Sequence, residues 1–296
     1  MTLTRLAPAK VNLMLHVVGR LPDGYHHLQS LIAFASVGDQ ITLEKADKSR
    51  LTVDGPFAEY VPLGPQNSIV LAAQWLGKKY PDIGQVHIHL TKNLPVSAGI
   101  GGGTSDAAAT IAALLEYQHI SLSPTEEDNL ILTCGVLGAD VPVSLAHQFG
   151  RGPLLWIDSS GRESLPLSVN QKLSGIMVLA NPGVPVSTPA IFKEIQPPYT
   201  VRQDFERVLE DEFQGSILEY VKAQTNDLMP TAAAQEPVIG NLVELFQTTS
   251  GCFLARMSGS GATCFGVFED EISAKRACHA FDKEFPQGWC AHCTLF

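Results

Sequence analysis

The sequence has 296 residues, of which 45% are hydrophobic and 17% are charged, a balance typical of a folded globular protein. Its formal net charge of −10 disfavours a nucleic acid or an anionic membrane as a partner, because both need clustered positive charge. No basic, apolar leader and no apolar stretch of about 18 residues occurs, so we expect a cytoplasmic protein. The length favours two domains over one.

The N-terminal segment predicts a half-buried strand, because apolar and polar residues alternate between residues 6 and 18. The predicted apolar face carries Val11, Leu13, Leu15 and Val17, and the opposite face carries Lys10, Asn12, Met14 and His16. A turn containing Asp23 and Gly24 follows, and it places Tyr25 and His26 on a loop. Lys10 and Asn12 are therefore predicted to point in the same direction.

Further elements follow from periodicity and from capping residues. Strands are predicted near 31–45 and 86–91. Asn67 precedes an amphipathic helix, and Ser123 with Glu126 forms a capping box that has a proline at the first helical position. We interpret these caps as structural.

The most informative segment is a glycine-rich loop that leads into an alanine-rich helix. Four of the five residues from Gly99 to Gly103 are glycine, which frees the backbone amides to approach a bulky polar ligand. The helix that follows adds a partial positive charge, so a phosphate is the expected occupant. A Walker A loop would need a lysine after Gly103, and a dinucleotide fingerprint would need a glycine at Thr104. Both of these motifs are absent.

Asp140 lies between an apolar helix and a predicted short helix that has a proline in its first turn. Taken alone, Asp140 is more typical of a helix N-cap than of a catalytic group. A carboxylate beside apolar residues can act as a general base when a nearby lysine keeps it ionised. Lys10 is the candidate lysine, although the spacing in sequence leaves their contact open.

The C-terminal half begins after a polar stretch at residues 158–164, where we expect a domain boundary. Its predicted order is β-α-β-β-α-β, with a hairpin around the small residues 258–261 and with one additional inserted helix. Two glycines in this hairpin suggest a close approach to a ligand or to the first glycine loop. Cys290 and Cys293 form a CxxC pair within a predicted strand, and we expect them to serve packing.

Together these motifs resemble the GHMP kinase family. The resemblance rests on Pro-Ala-Lys-Val-Asn-Leu at 8–13, Arg-x-x-Asp-Gly-Tyr-His at 20–26, Gly-Gly-Gly-Thr-Ser-Asp-Ala-Ala at 101–108 and Leu-Gly-Ala-Asp-Val-Pro at 137–142. It implies an α+β, two-domain GHMP kinase fold. The N-terminal domain, residues 1–162, would be like domain 2 of ribosomal protein S5, and the C-terminal domain, residues 163–296, would be ferredoxin-like.

The resemblance also implies an activity. The strand motif and the Asp-Gly-Tyr-His motif are similar to the family branch that phosphorylates a cytidine diphosphate-linked methylerythritol in isoprenoid biosynthesis. ATP would donate the phosphoryl group, and Mg²⁺ would bridge its phosphates. We expect the protein to be a monomer or a weak homodimer.

The resemblance assigns roles residue by residue. Lys10 and Asp140 would be catalytic. The ATP contacts would be Asn67 near the adenine and the loop residues Pro95, Val96, Ser97, Ala98, Gly99, Ile100, Gly101, Gly102, Gly103, Thr104 and Ser105. Ser105 would also contact Mg²⁺. The acceptor contacts would be Asn12, Tyr25, His26, Thr188 and Phe192, with the aromatic residues at the cytosine.

Three alternatives remain open at this point. The chain could be a sister GHMP kinase for mevalonate or homoserine, which shares the glycine loop. It could be a nucleotide-dependent oxidoreductase, which the two absent fingerprints disfavour. It could also be a non-catalytic nucleotide sensor, although the presence of Lys10 and Asp140 argues against this function.

Overall fold

The computed structural model describes residues 2–22, 24–81, 83–159, 165–171, 173, 175–208 and 217–296. The first sheet has the strand order β3-β4-β2-β5-β6, and β1 pairs with β2 outside this path. Its strands are β1 (Thr2–Arg20), β2 (His26–Lys45), β3 (Arg50–Asp54), β4 (Val86–Thr91), β5 (Leu154–Ser159) and β6 (Leu167–Val169). The predicted strands at 31–45 and 86–91 are confirmed, and β3, β5 and β6 are additional.

The long antiparallel pairing of β1 with β2 is interrupted by register shifts, one of which lies between Asn12 and Met14. A bulge of this kind adds a residue to one strand and re-aims the side chains that follow. As a result, Leu13 and Met14 are both buried in the same apolar cluster. The predicted strict alternation is therefore wrong at Met14, which does not share a polar face with Lys10 and Asn12.

Four helices of the described residues share an apolar cluster with the first sheet. They are α1 (Ser68–Lys79), α2 (Gly102–Tyr117), α3 (Pro124–Thr133) and α4 (Val141–Gln148). The Asn67 cap and the Ser123–Glu126 capping box are confirmed, because each side chain accepts a hydrogen bond from the first turn of its helix. The alanines of α2 are buried because this helix packs against α1, α4 and the sheet. The helix is thereby held with its N-terminus at the glycine loop.

The second sheet is antiparallel, with the strand order β10-β7-β9-β8. Its strands are β7 (Ile176–Asn181), β8 (Cys252–Met257), β9 (Cys264–Phe268) and β10 (Trp289–Cys293). The helices are α5 (Thr188–Glu194), α6 (Phe205–Arg207), α7 (Ile217–Ala223), α8 (Met229–Gln235), α9 (Val238–Thr248) and α10 (Glu271–Glu284). This order confirms the predicted ferredoxin-like arrangement and the α+β class.

A shared apolar cluster joins the two sheets. It contains Val11 and Leu13 from β1 and Phe265 and Val267 from β9. The predicted boundary between residues 162 and 163 lies outside the described residues, and β6 at Leu167–Val169 pairs with β5 of the first sheet. The cluster positions the β1 strand directly against the C-terminal half.

The remaining composition-based expectations concern membranes and metals. Among the described residues, no helix is both long enough and apolar enough to cross a bilayer. The described part of the chain also lacks any cluster of three or more metal-ligating side chains. Cys290 and Cys293 lie in β10 as free thiols, which agrees with a packing role.

Candidate active site

The side chains of Lys10 and Asp140 meet, although 130 positions separate them in the sequence. Lys10 Nζ donates a hydrogen bond of 2.9 Å to Asp140 Oδ2 and a second of 2.9 Å to Asn12 Oδ1. Lys10 is only 4% exposed, whereas the Asp140 side chain is 36% exposed. A buried ammonium therefore holds a carboxylate that solvent, or a bound hydroxyl, can reach.

Asp140 occupies the N-cap position of α4 but does not act as a cap. Its side chain accepts no hydrogen bond from the first turn of the helix. The carboxylate is turned toward Lys10 instead. An acidic N-cap residue ordinarily stabilises its helix through such a bond. The geometry therefore shows that Asp140 pairs with Lys10 and does not cap α4.

Asn12 connects this pair to the rest of the fold. Its Nδ2 donates to Ser30 Oγ at 2.8 Å, and its backbone N–H donates to Ser258 Oγ at 3.1 Å. Ser258 in turn donates to the carbonyl of Gly99 at 3.2 Å. Asn12 is therefore bonded to β2, to the C-terminal hairpin and to Lys10, so its side chain holds one orientation.

The glycine loop has an open backbone at the start of α2. Gly101 is the N-cap residue of α2, with a left-handed φ of 65°, and no side chain caps the helix. The carbonyl of Ile100 accepts a 2.9 Å hydrogen bond from the backbone N–H of Lys10. A Cβ on Gly101 would lie 3.2 Å from Lys10 Cβ. The uncapped amides of α2 therefore lie beside the Lys10–Asp140 pair, where an anion is favoured.

The C-terminal hairpin supports the loop from the other side. Gly99 has a φ of 75°, and a Cβ there would lie 2.6 Å from the carbonyl oxygen of Gly261. The N–H of Thr263 donates to the Ala98 carbonyl at 3.2 Å. Asn226 holds the hairpin by donating two hydrogen bonds of 2.8 Å to its backbone carbonyls. The predicted close approach of the two glycine segments is confirmed.

A cavity of about 110 Å³ opens at the first turn of α2. Its lining residues are Val61, Pro62, Gln66, Asn67, Ser68, Lys92, Pro95, Val96, Ser97, Gly102, Gly103 and Asp106. The polar atoms of the Asn67 side chain are already engaged, since Oδ1 accepts from the Ile69 N–H and Nδ2 donates to the Pro62 carbonyl. Asn67 therefore forms part of the wall of this cavity. A second cavity, of about 600 Å³, lies beside β8.

The contact of Ser105 with Mg²⁺ stays a prediction, and the structure shows what its hydroxyl bonds to. Ser105 is fully buried, and its hydroxyl donates to the Pro8 carbonyl at 2.7 Å, which ties α2 to β1. The neighbouring Thr104 hydroxyl likewise donates to a backbone carbonyl, that of Gly101, at 2.8 Å. Both hydroxyl groups therefore stabilise the loop itself.

Among the predicted acceptor residues, His26 and Phe192 are brought together. The His26 ring stacks on Phe192 with centroids 5.2 Å apart, and the Tyr199 ring meets it edge-on at 6.4 Å. Tyr25, which directly precedes β2, is 52% exposed. Thr188, at the start of α5, shares a 2.6 Å hydrogen bond with Ser260 of the hairpin. The ring that stacks on Phe192 is thus His26, and the placement of these rings at the cytosine stays a prediction.

Sequence reasoning missed an ion triad beneath the glycine loop. Lys92 Nζ lies 2.5 Å from Asp39 Oδ2 and 2.7 Å from Asp106 Oδ2, and all three side chains are buried. The available signal was weak, because Asp39 lies within β2 and Lys92 directly follows β4, so no linear motif links them. Only the pairing of β2 with β4 brings them together.

Comparison with known proteins agrees with this arrangement. The GHMP kinases N terminal domain matches residues 67–148, and the GHMP kinases C terminal domain matches residues 203–287. The 4-diphosphocytidyl-2-C-methyl-D-erythritol kinase of Chelativorans sp. is 39% identical over 298 residues, covering 99% of this chain and 96% of the relative. The protein of the same name from Brucella melitensis is 40% identical over 294 residues, covering 98% and 94%.

Solved structures show the same similarity. A crystal structure of 4-(cytidine 5'-diphospho)-2C-methyl-D-erythritol kinase superposes with a TM-score of 0.76 at 31% identity, covering 99% of both chains. A homoserine kinase from Cytophaga hutchinsonii shares the fold, with a TM-score of 0.73 at 15% identity, covering 99% of this chain and 95% of that one. With both domains matched and relatives near 40% identity over almost the full length, the chain belongs to the GHMP kinase family.

Proposed function

We propose that the protein transfers the γ-phosphoryl group of ATP to the 2-hydroxyl of 4-diphosphocytidyl-2-C-methyl-D-erythritol, a step of non-mevalonate isoprenoid biosynthesis. The names of the relatives at 39% and 40% identity support this acceptor. The observation that carries the chemistry is the 2.9 Å contact of Lys10 Nζ with Asp140 Oδ2 beside an uncapped helix N-terminus. A phosphate cradle next to a lysine-held carboxylate is suited to phosphoryl transfer to an alcohol.

Asp140 would receive the proton of the acceptor hydroxyl as its oxygen attacks the γ-phosphorus. The bond between that phosphorus and the bridging oxygen of ADP breaks in the same displacement. Lys10 would keep the carboxylate ionised and would offset the negative charge that develops on the transferring group. Since Asn12 also accepts a hydrogen bond from Lys10 Nζ, the ammonium is fixed in place before either substrate arrives.

The triphosphate would bind to the backbone amides at the start of α2. Gly101 carries no Cβ that could shield these amides, and the hairpin and β1 hold the loop from below. At a net charge of −10, the protein has to attract a polyanion through these local groups rather than through its overall field. We therefore expect a weak dependence of the association rate on ionic strength.

Magnesium would enter with the nucleotide. The described residues supply no cluster of acidic ligands, and the Ser105 hydroxyl is bonded to the Pro8 carbonyl. Mg²⁺ commonly keeps several waters and binds substrate phosphates rather than a cage made of protein. When bound, the ion would neutralise phosphate charge, while the residues of this chain orient the hydroxyl and accept its proton.

The cytidine end of the acceptor would lie at the aromatic group of Tyr25, His26 and Phe192. Planar rings bind a base by stacking, and the His26 ring carries a buried Nε2 that has no hydrogen-bond partner among the described residues. Burial also lowers the His26 pKa, with the charge of Arg20 as a second cause. A neutral imidazole can donate or accept one hydrogen bond at the edge of a pyrimidine ring.

An acceptor panel tests the proposal. Purified protein with ATP and Mg²⁺ is given the diphosphocytidyl alcohol, mevalonate or homoserine, and ADP release is measured with Asp140→Asn as the matched control. We expect ADP only with the diphosphocytidyl alcohol, and at a much lower rate from the variant. Turnover of mevalonate or homoserine instead would identify a sister kinase, and ATP binding without turnover of any acceptor would identify a sensor.

A further inference from the structure

Two cysteines of the C-terminal half bring their thiols together. Cys278 lies in α10 and Cys290 lies in β10, and the Cys290 S–H donates a hydrogen bond of 3.0 Å to the Cys278 sulfur. Both thiols are free and both residues are half-buried, so part of each residue is open to solvent. The S–S bond of a disulfide is about 2.05 Å long, so the two sulfur atoms need to approach by only about 1 Å to form one.

Cys290 contacts Cys278 rather than Cys293, although Cys290 and Cys293 form the CxxC pair of the sequence. Residues three positions apart in a strand point to opposite faces of the sheet. Cys293 is accordingly buried in the apolar cluster that joins the two sheets, whereas Cys278 and Cys290 both pack against the cluster that contains Ala277 and Phe281 of α10. The fold therefore separates the two thiols of the motif and pairs Cys290 with a thiol 12 positions earlier.

Regular secondary structure holds the two thiols in contact. Cys290 pairs with Ala180 of β7 in the antiparallel ladder. The helix is anchored next to Cys278 by Ala277, which is fully buried. The start of α10 is capped by Asp270, whose side chain accepts a hydrogen bond of 2.8 Å from the backbone N–H of Ser273. Because both elements are fixed, the thiols meet in the folded protein without any rearrangement of the backbone.

The two thiols differ in acidity. The hydrogen bond from Cys290 stabilises the thiolate of Cys278 and lowers its pKa, although burial and the charge of Asp282 act in the opposite direction. The same contact, together with burial, raises the pKa of Cys290. Since the thiolate is the nucleophilic form, Cys278 is the thiol that reacts first with an oxidant, and Cys290 is the thiol that resolves the product.

We propose that Cys278 and Cys290 form a redox-modification site, which a small hydroperoxide converts into a disulfide between α10 and β10. With hydrogen peroxide, the Cys278 thiolate attacks one oxygen, the O–O bond breaks, and the released hydroxide takes up a proton to become water. This step leaves a sulfenic acid on Cys278. The Cys290 sulfur then attacks the Cys278 sulfur, the S–O bond breaks, and the hydroxyl group leaves as water with the Cys290 proton. The two thiols together lose two electrons and two protons, and the peroxide is reduced to two waters.

The disulfide protects Cys278 from irreversible oxidation. A sulfenic acid that meets no second thiol is open to further oxidation to the sulfinic acid, which thiols do not reduce. Cys290 lies at contact distance and removes this intermediate, and a dithiol reductant restores both thiols. Neither cysteine belongs to the residues that we assign to ATP or to the acceptor, so the proposal is independent of the proposed function.

Mass spectrometry of the full-length protein tests the proposal. The reduced wild type, which has six cysteines, is treated with a small excess of hydrogen peroxide, unfolded and alkylated. We expect a protein of monomer mass with two fewer alkylated thiols, a proteolytic peptide that joins Cys278 to Cys290, and recovery of both thiols with dithiothreitol. No loss of thiols, a disulfide between another pair such as Cys290 and Cys293, or a product that dithiothreitol does not reverse would overturn the proposal.

Three serine variants separate the roles of the thiols. Cys290→Ser should form no disulfide and should accumulate a Cys278 sulfenic acid, which dimedone traps. Cys293→Ser and Cys252→Ser, which removes another half-buried thiol, are the matched controls and should form the disulfide as the wild type does. Its loss from either folded control, or a Cys278 that stays unreactive in Cys290→Ser, would contradict the proposed order of attack. The wild type alone reports which cysteines are joined, so the test does not depend on the folding of any variant.

Discussion

Replacing Asp140 by asparagine removes one negative charge from the proposed active site while leaving most of the surrounding structure in place. The asparagine Oδ1 can still accept the 2.9 Å hydrogen bond from Lys10 Nζ. Helix α4 loses no capping hydrogen bond, because the Asp140 side chain does not cap it. The change therefore isolates the ability of residue 140 to take a proton.

Asp140→Asn should lower the activity strongly and the stability moderately. A positioned general base contributes about 10²- to 10⁴-fold to the rate, so kcat should fall by that factor. Lys10 is buried and keeps only neutral hydrogen-bond acceptors in the variant, so the free energy of unfolding should fall by about 1 to 3 kcal/mol. The KM for ATP should change by less than about threefold, since the proposed triphosphate contacts are backbone amides.

The assay measures ADP release with the diphosphocytidyl alcohol, together with thermal unfolding and ATP binding for each protein. Asp47→Asn, the same substitution at an exposed position between β2 and β3, serves as the matched control and should leave kcat unchanged. A kcat for Asp140→Asn within tenfold of the wild type would refute the base role. A collapse of ATP affinity would show instead that Asp140 serves the nucleotide.

Three other outcomes follow from the same geometry. Tyr25→Ala should raise the KM of the acceptor at least about fivefold more than that of ATP, because a lost stacking face costs about 1 kcal/mol or more; equal changes in steady-state kinetics would contradict the cytosine assignment. Gly99→Ala should weaken ATP binding measured by calorimetry, since its Cβ would lie 2.6 Å from the Gly261 carbonyl oxygen, whereas Gly77→Ala has open space and should bind normally. Because burial raises the pKa of Asp106 to about 8, folding takes up a proton between about pH 4 and pH 8. The wild type should therefore lose stability relative to Asp106→Asn in urea unfolding as the pH rises through that window; parallel pH profiles would contradict it.

Much of the fold was predictable from local sequence signals. The strand at 86–91, the Asn67 cap and the Ser123 capping box each depend on residues close in sequence, and the structure confirms all three. The β-α-β-β-α-β order of the C-terminal half is also confirmed. Its signals are local as well, since β7 and β9 are short apolar runs and α9 buries one apolar face. The β1 bulge was not visible in the sequence, since register shifts are set by the partner strand, and Met14 was consequently placed on the wrong face.

The candidate site was predictable in its parts and less so in its assembly. Lys10, Asp140 and the glycine loop stood out as residue types, but only tertiary packing shows that they are adjacent. The hydrogen bond of the Ser105 hydroxyl to the Pro8 carbonyl was not predictable, because the two residues are 97 positions apart in the sequence. The Lys92 triad escaped notice because its members come from three separate segments and form no linear motif.

A crystal structure with a non-hydrolysable ATP analogue and the diphosphocytidyl alcohol tests the central claim most directly. We predict phosphate oxygens within hydrogen-bond distance of the backbone amides at the start of α2, and the acceptor 2-hydroxyl beside Asp140 and Lys10. A triphosphate bound elsewhere, for example in the cavity of about 600 Å³ beside β8, would contradict the account.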